Sequence, residues 1–171
     1  MKLLYVTTNP LKFGKALEHL GRFGLELEQR SFEFQEIQRE ESSEIALDKA
    51  QQAFQAFQQP VLVSDDSWQI PALRGFPGPY MRQLNHWFKP EDWLRLMAGV
   101  ADRRIQLHSC LVYQDEAEQH LFEYTKNFYF LHEADQQEIA APHLRVISLT
   151  KNGPSVAQEI QAQGFSLGDS D

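Results

Sequence analysis

The sequence predicts an α/β protein built on a mixed sheet, and two observations carry that prediction. Up to about residue 64, apolar runs and helical patterns alternate in the order βαβαβ, the connectivity of parallel strands with crossover helices. Two β-rich runs follow, Ile105 to Tyr113 and His120 to Leu131. The polar turn Gln114-Asp115-Glu116-Ala117-Glu118 joins them, a hairpin signal that adds antiparallel strands to the sheet.

Each element has a local reason. Lys2 to Val6 is a short apolar run without helical period, hence a buried strand. Asn9 is a good N-cap and Pro10 suits the first helical position. Phe13, Ala16, Leu17 and Leu20 then recur at i, i+3, i+4 and i+7 until Gly21 or Gly24 ends the pattern. Leu25 to Phe34 alternates apolar and polar residues and is expected to be a strand. Ser42 and Ser43 are candidate caps for a helix with Ile45, Ala46, Ala50, Ala53, Phe54 and Phe57 on one face. Pro60 to Ser64 is a continuous apolar strand, with Asp65-Asp66-Ser67 expected at its C-terminal end. Pro71 to Tyr80 is rich in glycine and proline and is expected to be irregular. Pro90 opens a helix containing Trp93, Leu94, Leu96 and Met97 that Gly99 closes. Leu144 to Leu149 reads as a further strand, Pro154 to Gln163 as a last short helix, and Gly164 to Asp171 as a frayed tail.

A chain of 171 residues fits one domain, or two lobes sharing one core, and its 42% apolar content suffices for burial. Acidic residues outnumber basic ones 24 to 16, for a formal net charge of −8. That balance argues against a general binder of nucleic acid or anionic membrane, which needs a basic surface. A small phosphorylated substrate stays compatible if a metal ion or a few lysines reverse the sign locally. The one cysteine, Cys110, excludes an intrachain disulfide and a thiolate cluster. The apolar start of the chain is too short for a secretory or membrane-spanning segment, so a soluble cytoplasmic protein is expected.

Four features could carry chemistry. Thr7-Thr8-Asn9-Pro10-Leu11-Lys12 runs from a strand into a helix N-terminus, whose unpaired N–H groups attract phosphate. Lys12 in that first turn opposes the helix dipole, which makes sense if an anion lies between. The same residues also describe an ordinary capped helix with a solvated lysine. Asp65 and Asp66 follow a buried strand, where open α/β sheets place ligands, and carboxylates are the usual Mg²⁺ ligands. An acidic turn capping the next element is the plain alternative. Glu40, Glu41 and Glu44 are explained by a helix dipole, but Glu36 lies too far upstream for that. Lys49 falls on the apolar side of its helix, either solvated or reaching across apolar surface to a groove. Ala72 to Tyr80 is rigid irregular backbone, functional or merely connecting.

Together these motifs resemble the inosine triphosphate pyrophosphatase family. Its T-G-N-x-x-K motif is similar to Thr7 through Lys12, with threonine for glycine. Its E-x-Q and E-I-A-x-x-K-A segments resemble Glu36-Ile37-Gln38 and Glu44 through Ala50. Its (E/D)-D-(S/T) strand end resembles Asp65-Asp66-Ser67, and its A-L-x-G-x-P-G-x-Y loop resembles Ala72 through Tyr80. The likeness covers about Lys2 to Tyr113. Beyond it the family's G-(F/W)-G-(Y/W)-D-P segment is absent, and Lys151-Asn152-Gly153-Pro154-Ser155 is followed by Val156 and Ala157 where the family has His and Arg.

The resemblance implies one elongated α/β domain over 1–171, with two lobes around a long mixed sheet and a central groove, usually a homodimer. The phosphate and metal part would lie in about 1–113, and the divergent part in 114–171. The implied reaction is hydrolysis of a nucleoside triphosphate to the monophosphate and pyrophosphate. Glu36 and Asp66 would bind Mg²⁺, and Asp65 with Asp66 would orient or deprotonate water. Lys12, Lys49, Thr8, Asn9 and Ser67 would hold the substrate, with Arg82 a further contact. The alternative is a nucleotide-binding protein on this scaffold without turnover. An interaction protein with an incidental likeness is the third reading, and it leaves the retained acids and lysines unexplained.

Overall fold

The computed structural model describes residues 2–162; Met1, Gln163 and the expected tail after it lie outside the described residues. The strands are β1 (Lys2–Val6), β2 (Glu26–Arg30), β3 (Val61–Gln69), β4 (Pro77–Gly78), β5 (Arg104–Gln114), β6 (Gln119–Phe130) and β7 (Ile147–Ser148). The helices are α1 (Pro10–Gly21), α2 (Ser42–Phe57), α3 (Met81–Trp87), α4 (Pro90–Leu96) and α5 (Val156–Ala162), with 3-10 turns at Pro71–Leu73 and Pro142–Arg145. The sheet runs β2-β1-β3-β5-β6-β7, with β4 attached to β3. β1 pairs in parallel with β2 and β3, whereas β4 and β7 pair antiparallel with β3 and β6. The predicted mixed α/β fold is therefore what forms.

The chain divides into two compact units, Met1–Asp66 with Ser109–Tyr124, and Ser67–His108 with Thr125–Asp171. In the first, strand alternation sends Leu4, Val6, Val61 and Val63 to one face, where Ala46, Ala50 and Ala53 of α2 pack. Leu3, Tyr5 and Leu62 face the other way and meet Phe13, Ala16 and Leu20 of α1. The parallel strands are thus covered on both faces, as burial of their continuous apolar runs requires. The second unit has its own core around Trp93, Phe130, Ile70, Met97 and Ile105.

Several expected boundaries move. β2 stops at Arg30 because all five of its residues are used up pairing with the five of β1. Phe32 and Phe34 lie beyond it, in a T-shaped pair at 5.0 Å, packed on the α2 side of the core. Ser42 is not a cap. It is the buried first residue of α2, with Glu41 at the cap position and the Ser42 Oγ 3.6 Å from Cys110 Sγ. β3 does not end before its acids. It gains β4 as a partner at Trp68 and Gln69, so Asp65-Asp66-Ser67 lies inside the strand. The loop expected over Pro71 to Tyr80 thereby contains a strand as well as a turn, with Gly75 and Gly78 at φ 90° and 61°, angles open to glycine. α3 was not expected, since only Met81 and Leu84 mark its buried side. Of Leu144 to Leu149, only Ile147 and Ser148 are strand, because the 3-10 turn claims the residues before them.

Two polar groups are built into the second unit. Arg103 donates hydrogen bonds to the carbonyls of Met97 (3.0 Å), Phe130 (3.0 Å) and Leu131 (2.6 Å). His143 is buried and its Nδ1 donates to Asn85 Oδ1 at 2.9 Å, with the Trp68 ring 5.0 Å away. Burial pushes its pKa down to about 3, so the imidazole is neutral.

Candidate active site

The turn from β1 into α1 is held by side chains. Thr7 Oγ1 accepts the Asn9 amide at 3.1 Å, and Asn9 Oδ1 accepts the Lys12 amide at 3.2 Å, the N-cap bond that the sequence predicts. Thr8 and Asn9 are exposed there. Because α1 covers the Tyr5/Leu62 face of the sheet, its first turn lies on the side to which even-numbered residues of β3 project. Ser64 and Asp66 follow Leu62 on that face. Tyr5 Oη and Ser64 Oγ are 2.7 Å apart, and Lys12 Nζ sits 3.0 Å from Asp66 Oδ2. Burial raises the Tyr5 pKa and keeps its hydroxyl protonated, even though the Ser64 bond and the Lys12 charge pull the other way.

The opposite face is built by α2. Asp65 continues the Val61/Val63 row, and Lys49 is buried on the helix that packs there. Lys49 Nζ lies 2.7 Å from Asp65 Oδ1 and 2.7 Å from Glu36 Oε1, with the Phe34 ring centroid at 5.8 Å. The lysine on the apolar side of α2 therefore reaches a pair of carboxylates, the largely buried Asp65 and the exposed Glu36. Burial favours a neutral amine, but Asp65 and Glu36 outweigh it and the Lys49 pKa ends above the ordinary lysine value. Asp65 also ends above the ordinary carboxylate value: burial is the largest effect, and the Lys49 and Lys12 charges only partly offset it.

The first unit thus holds two charge clusters, Glu36 joined to Asp65 through Lys49 on the α2 face and Asp66 joined to Lys12 on the α1 face. Ser67 is fully buried and Arg82 is exposed on α3, both within the second unit. Sequence reading treated Asp65 and Asp66 as one side-by-side pair. Alternation along β3 puts them on opposite faces, a split readable from the sequence only once the strand is extended past Ser64. The Tyr5–Ser64 bond was also not foreseen, though both residues fall on the α1 face by the same count.

Hard carboxylate oxygens suit Mg²⁺, and the seat between Glu36 and Asp65 already holds a cation, the Lys49 ammonium. Ammonium groups of Lys12 and Lys49 are point charges of the kind that grip phosphate. Groups of the kinds that hold a divalent ion and an oligophosphate thus lie on both faces of β3, Glu36, Lys49 and Asp65 on the α2 side and Lys12 and Asp66 on the α1 side.

Val156 and Ala157, which replace the His and Arg of the family pattern, begin α5; Ala157 is buried and Val156 packs against the core of the second unit.

Comparison with known proteins bears on the family and the fold. The model of the Ham1 family matches residues 3–135, so the likeness runs through the β5–β6 hairpin rather than stopping at Tyr113. A dITP/XTP pyrophosphatase of Methanopyrus kandleri is 34% identical over 113 residues, 66% of this chain and 60% of that protein. A dITP/XTP pyrophosphatase of Methanosarcina mazei is 33% identical over 120 residues, 70% of this chain and 65% of that protein. The chain thus spans less than two thirds of the length of these curated relatives. In fold it is similar to a Ham1 protein from Coxiella burnetii, with a TM-score of 0.76 at 15% identity over 98% of this chain and 92% of that one. The Staphylococcus aureus Ham1 protein gives 0.74 at 17% identity over 97% and 91%. With its family pattern matched over more than half its length, and with the same fold as these structures, the chain belongs to the Ham1 family.

Proposed function

We propose that the chain is a Mg²⁺-dependent nucleoside triphosphate pyrophosphohydrolase that converts a non-canonical purine nucleoside triphosphate to the monophosphate and pyrophosphate. The observation that carries this reading is that neighbouring residues of β3 seat two lysine–carboxylate clusters in one unit, Lys49 with Glu36 and Asp65, and Lys12 with Asp66. The relatives named dITP/XTP pyrophosphatase support it.

Phosphoryl chemistry depends on positioning and charge neutralisation more than on covalent help from the protein. Lys12 and Lys49 would hold the phosphate oxygens, together with the exposed turn at Thr8 and Asn9. Glu36 and Asp66 would hold Mg²⁺, which supplies charge neutralisation at the phosphates when bound. Asp66, on the α1 face beside Lys12, would orient water for attack on the α-phosphorus and take its proton as the bond to the pyrophosphate oxygen breaks, while Asp65, on the other face, would act through its contact with Lys49. A homodimer in the cytoplasm belongs to the same reading, and sedimentation of the purified chain tests the dimer.

Base selectivity should be weak. Neither Val156 nor Ala157 can donate a hydrogen bond from its side chain to a keto base, and donors are what create large discrimination. The same observation favours a second reading, a nucleotide-binding protein without turnover. Pyrophosphate release with Mg²⁺ across purine and pyrimidine triphosphates separates the two. Turnover with less than about tenfold preference for inosine over adenosine triphosphate is expected, the discrimination available without a polar base contact. No hydrolysis of any member selects the second reading.

A further inference from the structure

The two lysines of the site do not wait in solvent for a phosphate. Lys49 Nζ is held at 2.7 Å by both Glu36 and Asp65, and Lys12 Nζ is held at 3.0 Å by Asp66. Every carboxylate proposed for metal or water already has an ammonium on it, and every ammonium proposed for phosphate already has a carboxylate. The side chains differ in how tightly they are held. Lys49 and Asp65 are 11% and 14% exposed, whereas Lys12 and Asp66 are each 31% exposed.

Two consequences follow from charge alone. A divalent ion arriving by itself must displace an ammonium or approach it closely, and like charges at short range in a partly buried site repel strongly. A polyphosphate arriving by itself must strip the ammonium groups from their carboxylates and leave those carboxylates uncompensated. Arriving together, the two ligands exchange partners with the protein: the ammonium groups turn from carboxylate to phosphate, and Glu36 and Asp66 turn from ammonium to metal. Each ligand then meets protein charge of the opposite sign without leaving the other ligand's partners uncompensated.

Resting on the pyrophosphohydrolase reading, we propose that Lys12 and Lys49 are exchangeable counterions, so that a divalent ion and a nucleoside triphosphate bind synergistically and each alone binds weakly. Coupling between two ligands is a free-energy difference and must act equally on both affinities. Lys49 carries most of it, since it is the more buried of the two and bridges two carboxylates.

The experiment is Mn²⁺ binding to the full chain, read by electron paramagnetic resonance, with and without an α,β-methylene nucleoside triphosphate that cannot be cleaved between those phosphates. In the parent protein, the analogue should tighten Mn²⁺ by at least about fivefold beyond its own chelation of the ion, the lower end of ordinary coupling. In Lys49→Met, Mn²⁺ alone should bind at least about fivefold tighter than in the parent, and the analogue should add little. Lys12→Met provides a second variant, at the more exposed pair, with a smaller change of the same sign. Unchanged or weaker Mn²⁺ binding in both lysine variants overturns the proposal. So does an analogue that binds the parent without affecting Mn²⁺. Failure of the functional reading looks different: no analogue binding and no triphosphate hydrolysis by the parent. In that event the Mn²⁺ affinities of the variants without nucleotide still decide whether the lysines compete with the ion.

Discussion

The two compact units handle polar groups in opposite ways. In the first, Lys49, Asp65, Glu36, Lys12 and Asp66 pair with one another through side chains whose partners a ligand can replace. In the second, Arg103 is bonded to three backbone carbonyls and His143 to Asn85 through Nδ1, while its Nε2 is buried without a hydrogen-bond partner. The ion pairs and the Arg103 bonds satisfy polar groups that would be costly to leave unpaired. Only the first concentrates net negative charge, three carboxylates against two ammonium groups, beside a helix start. The lesson is that pairing alone does not mark a site; exchangeable pairing with a residual charge does.

Substitutions in the two units should therefore separate activity from stability. The largest expected effect is in the first. Asp66→Asn should lower turnover by at least about a hundredfold, the lower range for losing a general base. Its unfolding free energy should change by less than about 1 kcal/mol, because Asp66 and Lys12 are each 31% exposed and such pairs contribute little. Steady-state kinetics and urea unfolding on one preparation check both halves. A variant as active as the parent would remove Asp66 from the chemistry.

Arg103→Met reverses the pattern. It keeps much of the stem but leaves the carbonyls of Met97, Phe130 and Leu131 without their charged donor, at a cost of about 2–3 kcal/mol. Urea midpoints read that cost. An unchanged midpoint would mean that water replaces the guanidinium at all three carbonyls.

The His143 imidazole sharpens the contrast through pH. Its pKa is about 3 in the fold and near the ordinary 6.5 in the unfolded chain, so between those values the unfolded chain carries the extra proton. Stability is therefore full above about pH 6.5 and falls as pH drops toward 3, by about 1.4 kcal/mol per unit from this group. Comparing urea unfolding of the parent and His143→Gln between pH 7 and 5 isolates it, since other groups titrate in both proteins. Equal slopes would show that His143 is not held neutral by burial.

The smallest effect is local. Asn9→Ala removes the acceptor of the Lys12 amide and should cost about 1 kcal/mol. Asn9→Ser restores an acceptor and should recover most of it. Recovery would separate the cap from any part Asn9 plays in phosphate binding.

Much of this was legible in the sequence because the signals were local. Asn9-Pro10 announced α1, the apolar run Pro60 to Ser64 announced the first part of β3, and the odd placement of Lys49 announced a lysine that reaches across apolar surface. What sequence missed depended on pairing with distant strands. β2 ended at Arg30 because β1 is short, and β3 continued past Asp66 because Pro77–Gly78 returns to pair with it. That extension changed the reading of the site, since it split Asp65 from Asp66 between the α2 and α1 faces. α3 escaped because two buried residues in seven are too few to make a helical stripe.

The central claim is that the charges of the first unit cut a triphosphate between its α and β phosphates. Phosphorus NMR of the chain with inosine triphosphate and Mg²⁺ tests it most directly, with Asp66→Asn run in parallel. The parent should convert the three triphosphate signals into one monophosphate and one pyrophosphate signal, while the variant leaves them standing over the same period. Diphosphate and inorganic phosphate in their place, or the same products at the same rate from Asp66→Asn, would contradict the account.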